Sequence, residues 1–267
     1  MQRKYINIIR FLEELSLSAL PALETAFLDG WVLRFSNDYT RRANSINPLY
    51  PGTRPLDDNL RDVEALYRRR GQRVVFKLTP ASLPEGLDQA LAERGYGHEA
   101  ATSVQTLDLT ARPAQPFGPT MLSETLSDDW LSAVYRLNAV PERHQATLRQ
   151  MLSRLAPQAC FASLSAEGQV VSMGLGVLQS GWIGLFDIVT LPDQRGRGHA
   201  RQLISDLLAW AVSLGAHSCY LQVMKNNLPA LRLYEKLGCR EVYEYWYRVK
   251  GLRTPAPHLH HRQVRVH

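Results

Sequence analysis

Asp187-Ile-Val-Thr-Leu-Pro-Asp-Gln-Arg195-Gly-Arg-Gly198-His-Ala-Arg-Gln-Leu-Ile204 decides the reading of this chain. Ile188, Val189 and Thr190 are β-branched and predict the end of a strand. Pro192 and the glycines at 196 and 198 predict a turn. From Arg197 to Leu214, one helical stripe holds Leu203, Leu207, Trp210 and Leu214, and another holds Ala200, Ile204 and Leu208. That spacing predicts a helix buried on a broad face. The first turn of a helix leaves backbone N–H groups without intrahelical partners. Glycine lets such groups converge into a concave nest, and a nest at a helix N-terminus binds phosphate. The helix dipole alone supplies about 0.3–2 kcal/mol, whereas micromolar binding requires about 8 kcal/mol. Several charge-assisted hydrogen bonds of about 1.5–3 kcal/mol each reach that scale, with Arg195 or Arg197 adding charge.

Two familiar phosphate motifs do not fit. No Gly-Lys-Ser/Thr is present, and Arg201 stands where a dinucleotide fingerprint needs a third small residue. The flanking order is more telling. Ser127 caps an apolar-periodic helix, and a second helix runs from about Arg143 to Leu155. Three strands follow, over Ala159–Leu164, Val170–Leu178 and Trp182–Leu191, joined by short turns as an antiparallel meander. After the long helix, Gly215 stops it and His217–Met224 alternates as a strand. Pro229–Leu237 reads as a helix closed by Gly238, and Arg240–Lys250 as a last strand.

The spacing Arg195-x-x-Gly198-x-Ala200 resembles the pyrophosphate-binding motif of the GCN5-related N-acetyltransferases. Asn227-Leu-Pro-Ala230-Leu-Arg-Leu-Tyr234-Glu-Lys-Leu-Gly238 is similar to a second block of that family, Asn-x-x-Ala-x-x-x-Tyr-x-x-x-Gly. The resemblance spans roughly Leu122 to Lys250. It implies an α/β fold with a mixed, largely antiparallel twisted sheet flanked by helices. It also implies transfer of an acyl group, taken as acetyl, from acetyl-CoA or another acyl-CoA directly to a primary amine. No metal is implied. By the same resemblance the main chain of Ile188, Val189 and Thr190 holds the pantetheine arm. Arg195, Gly196, Arg197, Gly198, His199 and Ala200 hold the pyrophosphate. Asn227 ends the cofactor channel, and Tyr234 protonates the leaving thiolate. Asp187 is the candidate base, against water or a purely structural role. An acyl-CoA sensor without turnover is the alternative reading.

The N-terminal part repeats the last section of this order. Arg73–Leu78 is a strand, Leu83–Arg94 a helix stopped by Gly95, and Ala101–Leu109 a strand. Leu91-Ala-Glu-Arg-Gly-Tyr96 parallels Tyr234-Glu-Lys-Leu-Gly-Cys239. This predicts an internal duplication with a degenerate first half, because no Arg-Gly-x-Gly stands there. The proline-bearing stretch from Thr110 to Pro119 is the predicted boundary. The expected layout is a degenerate half over 1–112, a linker over 113–119, a catalytic half over 120–252 and a tail over 253–267. Gly30–Ser36 and Thr40–Ile46 are expected to form a hairpin around Asn37-Asp38.

Acceptor-side candidates are fewer. Thr40-Arg-Arg42-Ala-Asn44-Ser45 is unusually polar for a strand, so Arg42 and Asn44 are candidates to reach the acceptor across the boundary. Glu142 and His144 fall in the acceptor region of the resembled family. The run Tyr243, Tyr245, Trp246, Tyr247 is expected to pack, with Tyr245 also lining the acceptor pocket because strand neighbours alternate in direction.

Composition bounds the rest. The 267 residues carry 45% hydrophobic and 21% charged side chains, ordinary for a globular chain and against wholesale disorder. The net charge is +6, and 26 of the 31 basic residues are Arg. Arginine favours bidentate contacts to phosphate and carboxylate. Arg68-Arg69-Arg70 is expected to end a helix, where positive charge suits the dipole, so nucleic acid is not the partner expected. Cys160, Cys219 and Cys239 lack CxxC spacing, and Cys219 and Cys239 are expected to pack. No run of about 18 apolar residues predicts a membrane span. Glu13 and Glu14 interrupt what a signal peptide would need, so a cytoplasmic location is expected. His258, His260 and His261 are read as part of a mobile end. A homodimer is compatible with all of this.

Overall fold

The computed structural model describes residues 2–111 and 118–251. Most of the expected linker (113–117) and the tail with its three histidines lie outside the described residues. In the first half, α1 (Gln2–Ala19) precedes β1 (Glu24–Leu28), β2 (Trp31–Phe35) and β3 (Ile46–Pro48). Next come α2 (Leu56–Arg69), β4 (Val74–Leu78), α3 (Leu87–Glu93) and β5 (Gly97–Asp108). In the second half, β6 (Met121–Ser123), α4 (Asp128–Leu137) and α5 (Glu142–Leu152) lead into the meander of β7 (Gln158–Ala166), β8 (Gln169–Gln179) and β9 (Trp182–Thr190). Then follow α6 (His199–Ser213), β10 (Ser218–Met224), α7 (Leu228–Lys236) and β11 (Arg240–Lys250).

All these strands join one 11-stranded sheet in the order β1-β2-β3-β4-β11-β5-β10-β9-β8-β7-β6. β3–β4 and β9–β10 pair parallel, and the other pairs are antiparallel. The order reads the same from both ends if β6 is set aside. Each half contributes an antiparallel meander followed by a parallel neighbour, and the two halves exchange their last strands. β11 pairs with β4 of the first half, and β5 pairs with β10 of the second. The duplication read from a few residues therefore extends through the whole topology. Gly95 and Gly238, the two helix stops, both take positive φ (80° and 91°), which glycine adopts without a Cβ penalty.

The predicted elements of the second half are found within a few residues. Ser127 caps α4 by accepting from the Trp130 amide. In the first half one expectation is corrected. Residues 40–45 do not continue a hairpin strand from Asn37-Asp38; residues 41–43 form a 3₁₀ turn. The side chain of Asn44 is the reason. Its Oδ1 accepts from the amides of Ser36 and Asp38, and its Nδ2 donates to the carbonyls of Ser36 and Thr40. A local Asn network thus replaces the ladder. β2 still pairs antiparallel with β3, from Trp31↔Pro48 to Leu33↔Ile46, so the expected pairing forms but starts only at Ile46, and a tight hairpin joins β1 to β2 at Asp29-Gly30.

One sheet face is covered by α1, α4 and α5. There Phe186, Tyr220, Tyr243, Tyr245 and Tyr247 pack with Ile9, Leu12 and Val134. α6 and α7 cover the second half of the other face. Leu203, Ile204, Leu207, Leu208 and Trp210 of α6 are buried there, each contributing roughly 1.5–3 kcal/mol. Cys160, Cys219 and Cys239 all lie in this core.

Candidate cofactor and acceptor site

The pairing of β9 with β10 runs from Ser218↔Trp182 to Leu221↔Leu185 and stops. Both strands continue, so Phe186–Thr190 and Gln222–Met224 splay apart and open a cleft in the sheet. A bulge accompanies the split. The β8–β9 register shifts between Met173 and Leu175, and Asp187 sits in the bulge at φ 50°, a conformation Asp tolerates better than most residues. Main-chain groups freed from a ladder at such a cleft can pair with an extended ligand as an added strand would.

Just past β9, Pro192–Gln194 form a 3₁₀ turn, and the chain enters α6 through Gly196 (φ 76°) and Gly198 (φ 86°). A Cβ at either glycine would meet nothing within 4 Å, so the bend is open. Among the described residues, no acceptor takes the amide hydrogens of Gly196 through Arg201. Arg195 and Arg197 are exposed beside it, and Arg195 Nε donates to the Thr190 carbonyl at 3.3 Å. A concave run of unpaired amides, a helix N-terminus and two arginines fit a diphosphate. A cofactor carrying a diphosphate at one end and an extended amide arm at the other fits the bend and the cleft together.

The equivalent junction of the first half is closed. Between β3 and α2, the carboxylate of Asp29 accepts from the Thr53 amide (2.8 Å), the Arg54 amide (3.0 Å) and Asn59 Nδ2 (2.8 Å). These bonds hold its pKa down to about 2. Gly52 lies against Asp29 so closely that a Cβ would collide with the carboxylate. The protein's own side chain occupies the place of an anion, so the second-half bend is the open one of the pair.

Asn227 caps α7 by accepting from the Ala230 amide at 3.3 Å, and its own amide donates to Met224 at the end of β10. It thereby ties the rim of the cleft to α7. Tyr234 lies two turns along and is 7% exposed, packed with Cys219 and Cys239. Burial pushes its phenol well above 10, with Arg42 partly opposing, so it stays protonated. The Asp187 carboxyl is also pushed up by burial, against the pull of Arg42.

Arg42 comes from the first half, yet its Nε donates to the Tyr245 hydroxyl at 3.3 Å, and that hydroxyl donates to Gln222 Oε1 at 3.2 Å. Arg42 feels the charges of Tyr245 and Asp187, and Tyr234, packed in the core on the α6–α7 side, feels Arg42. Tyr39 joins them and packs its ring 5.7 Å from that of His144. Asn44 does not reach the cleft, since its polar atoms serve its own loop. Glu142 opens α5 on the exposed side. No motif or periodicity singles out Tyr39 or Gln222 in the sequence. Only the strand exchange, which brings the first half against β9 and β11, gives them a role.

A family profile described as "Probable histone acetyltransferase Rv0428c C-terminal" matches residues 7–248. The chain belongs to the GCN5-related N-acetyltransferases. Members of this family move an acyl group from acyl-CoA to an amine, and this chain is an N-acyltransferase of that kind. It is 30% identical over 248 residues to the "Uncharacterized N-acetyltransferase YobR" of Bacillus subtilis, covering 91% of this chain and 98% of that protein. Its fold is similar to a GCN5-related N-acetyltransferase from Kribbella flavida (TM-score 0.65, 13% identity, 94% and 96% covered). It is also similar to a tandem protein of the family from the clavulanic acid biosynthesis pathway (TM-score 0.62, 16% identity, 91% and 89% covered). No helix of the described residues is long and apolar enough to cross a membrane.

Proposed function

We propose that this N-acyltransferase takes its acyl group from acetyl-CoA and delivers it to the primary amine of a small molecule or peptide in the cytoplasm, with residues 120–252 as the catalytic half. The observation that carries this reading is the cleft between β9 and β10 opening beside the only one of the two related bends that is free. The unpaired amides of Gly196–Ala200, with Arg195 and Arg197, would hold the diphosphate. The main chain of Ile188, Val189 and Thr190 would hold the pantetheine arm, and the Asn227 cap would fix the rim of the channel.

The acceptor amine is a cation in water and must lose a proton before attack. A desolvated Asp187 carboxylate has the raised basicity for that task. The nitrogen then forms a bond to the thioester carbon, and the C–S bond breaks with its electron pair passing to sulfur. Tyr234, held neutral by burial, donates its hydroxyl hydrogen toward the departing sulfur. The nitrogen gives up its surplus proton to water, from which the Tyr234 hydroxyl is restored. Arg42, Tyr245 and His144 border the acceptor side of the cleft.

The test is thiol release from acetyl-CoA with a panel of amines. Release that depends on the amine supports the reading. Binding of acetyl-CoA without release would identify a sensor.

A further inference from the structure

Charge around the acceptor side of the cleft does not balance within the protein. A small cavity there is lined by Arg34, Arg42, Lys77, Phe186 and Gln222, with Ser16, Leu17 and Leu20, and no carboxylate lines it. Two of its three cations are satisfied. Lys77 Nζ pairs with Glu13 at 2.6 Å, both fully buried. Arg34 donates to the carbonyls of Leu17, Leu20 and Arg42. Arg42 is not satisfied in this way. Its Nε meets no carboxylate but the Tyr245 hydroxyl, which burial pushes up and which Arg42 and Lys77 together pull below its ordinary value. Among the described residues, no carboxylate lies within ion-pair distance of it, and its two terminal nitrogens have no partner. Asp187 is near enough to feel Arg42 but forms no ion pair with it. A half-buried guanidinium with two unused donor nitrogens in a fixed fork is complementary to a carboxylate.

Resting on the acyl-transfer reading above, we propose that the acceptor carries a carboxylate beside its reactive amine, as an α-amino acid does. Arg42 binds that carboxylate in bidentate fashion while Asp187 faces the amine. The two charges are held apart by the protein, which matches a zwitterion and not the isolated ammonium of a peptide lysine. The first half then sets acceptor specificity, although it holds no cofactor of its own. Arg42 reaches the cleft because Asn44 folds the 3₁₀ turn that projects it.

The test compares acetyl-CoA turnover with the free α-amino acids, their methyl esters, and a lysine peptide amidated at its end, alongside a titration of acetyl-CoA binding. At least one free amino acid should exceed its ester in kcat/KM by about 30-fold or more, the cost of leaving one partner of a buried charge pair alone. Arg42→Gln should raise KM for that amino acid by a similar factor and erase the preference over the ester, with acetyl-CoA affinity unchanged. Arg42→Lys should restore part of it. The acid–ester comparison needs no variant, so poor folding of Arg42→Gln cannot hide the answer. Equal turnover of esters or of the amidated peptide would overturn the acceptor class and leave the transferase intact. Bound acetyl-CoA with no turnover of any amine would overturn both, and so would failure to bind acetyl-CoA at millimolar concentration.

Discussion

Lys77 Nζ lies 2.6 Å from Glu13 Oε2, joining the first helix to the centre of the sheet with both side chains out of water. Glu13 Oε1 also accepts from the Tyr243 hydroxyl at 2.7 Å, so α1, β4 and β11 meet at one carboxylate. Removing one member leaves the other charge buried and unpaired, which costs about 3–5 kcal/mol. Glu13→Gln is therefore expected to lower unfolding free energy in urea by that amount. Glu13→Leu combined with Lys77→Leu should cost less than the two single changes added together.

Tyr234→Phe removes one hydroxyl from a packed position and should fold normally. If the phenol supplies the proton to sulfur, kcat falls about 10²–10⁴-fold while KM for acetyl-CoA stays within about twofold. A raised KM with kcat unchanged would instead make Tyr234 a binding residue.

Asp187→Asn separates activity from stability. The folded carboxyl has a pKa above its unfolded value. It therefore contributes stability that is fully present below the unfolded pKa and lost as pH rises through the folded one. The amide variant, which also tolerates the positive φ, should melt higher than the parent at neutral pH and converge with it in acid. Its turnover should fall about 100-fold or more, and the acid limb of the kcat/KM profile should vanish. Survival of that limb would assign the base to water or another group.

Asp29 behaves in the opposite sense. Its folded pKa of about 2 lies below the ordinary 3.8, so its contribution is present above 3.8 and lost as pH falls toward 2. Asp29→Asn, which keeps the turn conformation, should lower Tm at neutral pH and flatten the acid limb of the stability curve. Acetyl-CoA affinity should not change, because the bend it closes belongs to the other half.

The second half was legible because its signals are local. Gly196 and Gly198 at a strand–helix junction, the Ser127 cap, and stripes such as Leu203–Leu207–Trp210 depend on neighbours a few residues away. The first half was less legible. Thr40–Ser45 reads as strand by pattern, yet Asn44 diverts it with four side-chain hydrogen bonds that no periodicity records. The mate of Glu13 stands 64 residues on, and that of Arg42 at Tyr245, 203 residues on. Such pairs exist only because the halves exchange their last strands, an arrangement that a single chain's pattern does not announce. Arg42 itself could be suspected from its polarity alone, but its unbalanced charge is visible only once its neighbours are in place.

The most direct test of the cofactor site is calorimetric titration of the whole chain with acetyl-CoA. The open bend at Gly196–Ala200 and the closed one at Asp29 together predict one site per chain, with micromolar affinity weakened about tenfold or more by Arg195→Ala combined with Arg197→Ala. No heat at millimolar acetyl-CoA, or two equivalents bound per chain, would contradict the account.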